Sequence, residues 1–238
     1  MATDLKGYLA EHTEEFKPWL ENKEQGRVDI KILPYLQYID KGFFVEAGAL
    51  DGLFMSNTKI LEDLGWGGLL IEPSHKAAEK CKENRKAIVE ECALVSKDFD
   101  KETVLGDFVM DGECGLGAWS SINRQAYGQQ VEGAFTSFMK EVDATTLAKV
   151  LRKYAIQKVD LLSLDVEGYE LEVLKGVDFN EVDIKFILVE VNLRDYSLVD
   201  MEKLLGEHGY KNLGCLSGFN SNMKGWDGSH NDYLFEKS

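Results

Sequence analysis

From Lys41 onward, short runs of apolar residues alternate with longer stretches in which apolar positions recur three or four apart. The short runs are FFVEAG (43–48), GLLIEP (68–73), AIVEECALVS (87–96), VDLLSLDV (159–166), KFILVEVN (185–192) and NDYLFEK (231–237). Each reads as a strand buried on both faces, since a strand with one wet face would alternate apolar and polar residues. The stretches between them, SNTKILEDLG, SHKAAEKCKENR, TTLAKVLRKYA, YELEVLKG and LVDMEKLLGEHG, carry the helical period. Alternating strands and helices with right-handed crossovers predict an α/β fold with a doubly wound, mainly parallel sheet. Gly65, Gly176 and Gly209 each close a periodic segment where a left-handed C-cap would sit, and Asp143, Thr145 and Thr146 offer N-cap chemistry before Leu147.

Two regions depart from this rhythm. Leu5, Tyr8, Leu9, His12 and Phe16 stand at helical spacing, Pro18 is expected to end or kink that helix, and a second short helix is expected near Pro34. Residues 1–40 are therefore expected to form a helical appendage to a main domain over 41–238. The segment from Asp98 to Glu141 has no clean period and is long for a loop, which predicts a functional loop or lid centred on 111–130.

Composition narrows the functions. At 238 residues the chain suits one domain with a sizeable core. Its 27 Lys and Arg against 42 Asp and Glu give a net charge of −15, which argues against nucleic acid or anionic membrane as partner, because both are gripped mainly through Lys and Arg. Cys81, Cys92, Cys114 and Cys215 form no C-x-x-C pair, and no run approaches a membrane span. A soluble, cytoplasmic protein in a reducing compartment is expected.

In an open parallel sheet, ligands bind beyond the carboxyl ends of the strands. The residues there are Glu46, Gly48, Asp51 and Gly52 after the first strand, Glu72 after the second, Asp165 and Glu167 after the fourth, and Glu190 and Asn192 after the fifth. Gly48 and Gly52 lack the third glycine of a dinucleotide fingerprint, and the Asp51 charge would oppose a pyrophosphate. Glu72, 24 positions after Gly48, is placed to accept hydrogen bonds from two vicinal ribose hydroxyls. A nucleoside without phosphates suits this loop, and an acidic loop suits the sulfonium of S-adenosylmethionine. A nicotinamide-dependent oxidoreductase and a non-catalytic nucleoside-binding module remain as alternatives.

The stretches FFVEAGALDGLFMSNT, GWGGLLIEPS and VDLLSLDVEGYELEVLKG resemble the FkbM family of S-adenosylmethionine-dependent methyltransferases, over roughly residues 42–192. The resemblance implies a seven-stranded sheet whose last hairpin runs antiparallel, and O-methylation of sugars or natural products. By motif it implies that Glu46, Gly48 and Asp51 line the cofactor loop, that Ser56 and Asn57 approach the methionine end, that Glu72 holds the ribose, and that Asp165 and Glu167 face the reaction centre.

A sugar hydroxyl is protonated at neutral pH, so methylating its oxygen calls for a base in hydrogen-bond reach or a cation that stabilises the developing alkoxide. Glu190 and Asn192 project from one strand face, with Asp165 on the neighbouring strand. Those oxygens make a hard-cation site suited to Mg²⁺ or Mn²⁺; the alternative is that Glu190 and Asn192 only hydrogen-bond loop amides and substrate. Of the four histidines, His230, just before the last strand, is the base candidate, while His12, His75 and His208 have surface or helix-end explanations. Trp119, Trp226 and Tyr233 could stack on a sugar face. The acceptor expected is a small molecule or glycan; the sequence does not specify an oligomeric state.

Overall fold

The structure is a computed structural model that describes residues 4–21, 25–110, 136–192, 196–220, 222 and 228–238. The described strands are β1 (Phe43–Ala47), β2 (Gly67–Ile71), β3 (Ile88–Glu90), β4 (Ala93–Leu94), β5 (Thr103–Met110), β6 (Thr136–Thr145), β7 (Lys158–Leu164), β8 (Asp183–Asn192), β9 (Tyr210–Cys215) and β10 (His230–Lys237), of which β5, β6 and β9 lie outside the six apolar runs. Seven of them form one sheet in the order β3-β2-β1-β7-β8-β10-β9. The pairs from β3 through β8 are parallel, and β10 runs antiparallel to both β8 and β9. The fold is thus α/β with a doubly wound, mostly parallel seven-stranded sheet. The strand order reverses between β1 and β7, which opens a crevice at their carboxyl ends.

Successive residues of a strand face opposite sides, so β1 sends Val45 and Ala47 to one core and Phe44 to the other. The first core packs against α7 (Leu147–Lys153), α8 (Glu170–Lys175) and α9 (Leu198–Glu207) through residues such as Leu151, Val173 and Leu205. The second packs Phe44, Leu70 and Leu161 against Leu61 of α5 (Lys59–Asp63) and Cys81 of α6 (His75–Asn84). Leu5 of α1 (Leu5–Glu11), Phe16 of α2 (Thr13–Leu20), Ile30 of α3 (Val28–Lys31) and Leu33 of α4 (Leu33–Leu36) belong to this same cluster. The segment expected as an appendage is helical, and it supplies much of the cover for one sheet face.

Several local expectations are corrected. The run 87–96 is broken at Glu91–Cys92: β3 joins the main sheet, whereas β4 pairs with β6 in a second sheet of order β4-β6-β5. The ends of the segment 98–141 are not loop, because β5 and β6 pair antiparallel from Thr103↔Asp143 to Met110↔Thr136. Their pattern escapes sequence reading because apolar positions are interleaved with charges and the residue opposite decides which face is covered. Residues 111–135, which include the expected lid centre and Trp119, lie outside the described residues, as does Trp226. Gly65 and Gly209 are left-handed at φ 91° and 82°, but Gly176 has φ −90° and its Cβ would instead meet Val95 O. The N-terminal helix breaks at His12, and Pro18 sits inside α2, which ends two residues later. Thr146 caps α7, its side chain accepting from Lys149 N at 3.2 Å. Among the described residues no helix is long and apolar enough to cross a membrane.

Candidate active site

The turn after β1 is built against the end of β7. Gly48, at φ 83°, would place a Cβ 1.7 Å from the carbonyl oxygen of Asp165, so only glycine fits. Its N–H donates to Ile71 O at 3.0 Å, and Asp165 N donates to Ala47 O at 3.1 Å. Three strand ends therefore meet at this glycine, and it brings the expected cofactor loop onto the backbone of the expected reaction centre.

Glu46 is buried and shapes the loop that follows. Its Oε1 accepts from Asn57 N at 2.8 Å, and its Oε2 accepts from the Ser56 and Thr58 hydroxyls at 2.9 and 2.7 Å. Asn57 Nδ2 reaches Ser163 Oγ on β7 at 3.2 Å. The buried Arg85 guanidinium completes the network, donating to Glu62 Oε1 (3.1 Å), Gly52 O (2.7 Å), Ser56 Oγ (3.1 Å) and Thr58 Oγ1 (3.0 Å), with Glu46 Oε2 at 3.6 Å. Gly52 leaves room for the Arg85 side chain, since a Cβ there would lie 2.7 Å from its Cγ. Asp51 turns its charge onto its own loop: Oδ1 accepts from Leu53 N and Phe54 N at 2.9 and 2.8 Å.

Glu72 lies one residue past β2, buried, with Oε2 accepting from Leu50 N at 3.0 Å and Oε1 from Ser74 N at 2.8 Å. Burial pushes its carboxyl up to about 7, against the pull of those two N–H groups. Among the described residues each oxygen accepts one hydrogen bond, which leaves it a second lone pair. That is the acceptor capacity a pair of ribose hydroxyls requires.

At the ends of β7 and β8 the carboxylates converge. Asp165, Glu170 and Glu190 each offer an oxygen within 4.8 Å of the others. Burial, reinforced first by Asp232, holds Asp165 well above the usual carboxylate range, and burial with Asp165 as the next cause does the same to Glu190. Among the described residues Glu190 Oε2 is buried without a hydrogen-bond partner, and Oε1 lies 3.8 Å from His230 Nε2. Asp232 stands opposite Glu190 on β10 and is pushed to about 6 by burial, while Ser217 and Lys31 pull the other way. His230 lies opposite Asn192, its Nδ1 3.2 Å from Ser229 Oγ and its ring edge-on to Phe219. Asn192 is buried, with its carbonyl accepting from Tyr196 N. Glu167 has φ 57° and is partly exposed in the turn after Asp165.

The crevice thus gathers Glu46, Gly48, Ser56, Asn57 and Glu72 on one side, and Asp165, Glu167, Glu190, Asn192 and His230 on the other. Tyr233 packs against the core below β10. His12 stacks on Phe16, His208 stacks on Phe179 and His75 pairs with Glu91, all away from this carboxylate group. Sequence reasoning assigned no role to Glu170, Tyr196, Asp232 or Arg85. Glu170 had a readable signal, an acid ending the dense L-D-V-E-G-Y-E stretch. Arg85 had none, since a cation ending a helix ordinarily faces solvent.

A family model described as the methyltransferase FkbM domain matches residues 46–211. Methyltransferase sdnD of Sordaria araneosa is 35% identical over 79 residues, a stretch that spans 29% of this chain and only 30% of that relative's length. Solved structures similar to this chain include an S-adenosylmethionine-dependent methyltransferase from Clostridium acetobutylicum (10% identity, 96% of this chain and 98% of that one, TM-score 0.46). A TehB-like methyltransferase from Corynebacterium glutamicum is also similar (9% identity, 98% and 99%, TM-score 0.45). The matched region takes in the glycine turn, Glu72 and both carboxylate-bearing strand ends, and the chain belongs to the FkbM family of S-adenosylmethionine-dependent methyltransferases.

Proposed function

We propose that the protein transfers a methyl group to a hydroxyl oxygen of a sugar, a glycan or a glycosylated small molecule. The observation that carries this reading is the partly buried carboxylate pair Asp165 and Glu190, set at adjacent strand ends beside the Gly48 turn. S-adenosylmethionine supplies, when bound, an electrophilic methyl on a cationic sulfur that leaves as a neutral thioether. The donor set of this chain suits that group: Glu72 has free lone pairs for the ribose, Gly48, Asp51, Ser56 and Asn57 line the loop, and the surrounding acids favour a cation.

The acceptor proton is the task left to the protein. Two carboxyls this close do not both ionise, so one holds a proton while its partner remains a hydrogen-bond acceptor. Asp165, ending a central strand, takes the proton as the acceptor oxygen attacks. His230, beside Glu190, is the next group able to receive it. A net charge of −15 supports a small, non-nucleic-acid acceptor. The buried free thiols Cys81 and Cys92, both pushed to about 12 by burial, suit a reducing, cytoplasmic setting.

A second reading, a Mg²⁺ or Mn²⁺ held by Asp165 and Glu190 with Asn192 or Glu170, is favoured by the partnerless Glu190 Oε2. Calorimetry with S-adenosylhomocysteine and with NAD tests the cofactor, and a mass-spectrometric screen of hydroxylated acceptors for the gain of one methyl tests the reaction. Binding of NAD alone would overturn the proposal. So would methylation only at nitrogen or carbon. Loss of turnover in chelator, restored by Mn²⁺, selects the metal reading; unchanged turnover removes it.

A further inference from the structure

Glu170 opens α8 and is fully buried. Its Oε1 accepts from Val166 N at 2.8 Å and from Gly168 N at 3.2 Å, which closes the turn after β7 around left-handed Glu167 and Gly168. Its Oε2 accepts from the Tyr196 hydroxyl at 2.6 Å, and that hydroxyl also stands 2.8 Å from the backbone carbonyl of Glu190. One carboxylate thereby touches the turn that carries Asp165 and, through one phenol, the strand end that carries Glu190. Parallel neighbours β7 and β8 pair up to Leu164↔Val189, so the ladder itself stops just short of both acids. A cross-tie is what the two strand ends need beyond that point.

We propose that Glu170, acting with Tyr196, is a positioning residue for methyl transfer: it ties the turn after β7 to the end of β8 and so sets the spacing of Asp165 and Glu190. The proposal rests on the reading of those two acids as the acceptor-facing pair. Glu170 touches neither acceptor nor cofactor in this scheme. Its carboxylate is already committed to two amides and a hydroxyl, and its contribution is geometric.

Three variants separate positioning from space-filling. Glu170→Gln keeps the tie, because its amide oxygen still accepts from Val166 and Gly168 while its NH₂ donates to the Tyr196 oxygen, whose hydrogen then serves Glu190 O. Glu170→Ala removes the tie, and Tyr196→Phe removes only the bridging hydroxyl. Hydrogen exchange at the Val166 and Gly168 amides, read by NMR, is expected to be at least about tenfold faster in Glu170→Ala and close to wild type in Glu170→Gln. With a panel of free hexoses and deoxyhexoses as acceptors, Tyr196→Phe is expected to lose at least about tenfold in kcat, with KM for S-adenosylmethionine little changed and the melting temperature lowered as Glu170 Oε2 loses its donor. Unchanged amide exchange in Glu170→Ala, or wild-type kcat in Tyr196→Phe, overturns the proposal. Wild-type protein that methylates none of these sugars counts against the sugar reading alone, because hydrogen exchange reads the tie without any acceptor.

Discussion

A single methyl group added at Gly48 tests whether the turn after β1, the proposed cofactor loop, is held by the strand that carries Asp165. The added Cβ would stand 1.7 Å from Asp165 O, where contacts under 3.0 Å essentially never occur, so backbone has to move. Gly65 is the control, left-handed at φ 91° with no described residue within 4 Å of the added carbon. Gly65→Ala meets only the left-handed penalty, about 1–2 kcal/mol, less about 0.4–1 kcal/mol from a stiffer unfolded chain. Gly48→Ala meets the same terms and also strains the two bonds that pin the turn, Gly48 N to Ile71 O and Asp165 N to Ala47 O, each worth about 1 kcal/mol. With residual overlap the expected loss is about 3–5 kcal/mol, a large part of the ~5–15 kcal/mol typical of a domain. Urea unfolding of both variants measures the difference, and calorimetry with S-adenosylhomocysteine should show affinity lost in Gly48→Ala and kept in Gly65→Ala. Equal losses of stability in the two would refute the close approach.

The other expectations concern buried charge and the carboxylates at the strand ends. Arg85→Met leaves Glu46 and Glu62 without their cation and should cost about 3–5 kcal/mol in thermal or urea unfolding; a loss within about 0.5 kcal/mol, as at an ordinary surface site, would contradict the network. Glu72 has a folded pKa of about 7 against an ordinary 4.5, so the folded state binds its proton more tightly, and stability from this group falls as pH rises through that window. Glu72→Gln should therefore gain on wild type between those two pH values, by no more than about 3 kcal/mol, and a pH-independent difference between the two would refute the shift. Glu72→Ala should weaken S-adenosylhomocysteine binding by about tenfold or more, with an unchanged Kd in a folded variant removing the ribose assignment. Asp165→Asn should abolish turnover while cofactor affinity changes little; near-normal turnover would direct attention to His230.

The alternation of FFVEAG, GLLIEP, VDLLSLDV and KFILVEVN with helical stretches specified these four strands, their parallel pairing and the edge at which the acids collect, because strands of a parallel sheet are covered on both faces and read as near-continuous apolar runs. Glu72, Asp165 and Glu190 were legible for the same reason: an acid at the carboxyl end of such a run sits where a strand leaves the core. The contacts across the sheet were not legible. Gly48 reads as a turn glycine, yet its necessity comes from Asp165, more than a hundred positions away and adjacent only once β1 and β7 pair. Glu170 joins the carboxylates only because α8 folds back on its own strand. The break between β3 and β4, the β5–β6 pairing and the packing of the N-terminal helices onto Phe44 and Leu161 were likewise decided in three dimensions. Local pattern determines which residues must leave water; which of them meet depends on strand order and register, and those are set by the whole chain closing on one core.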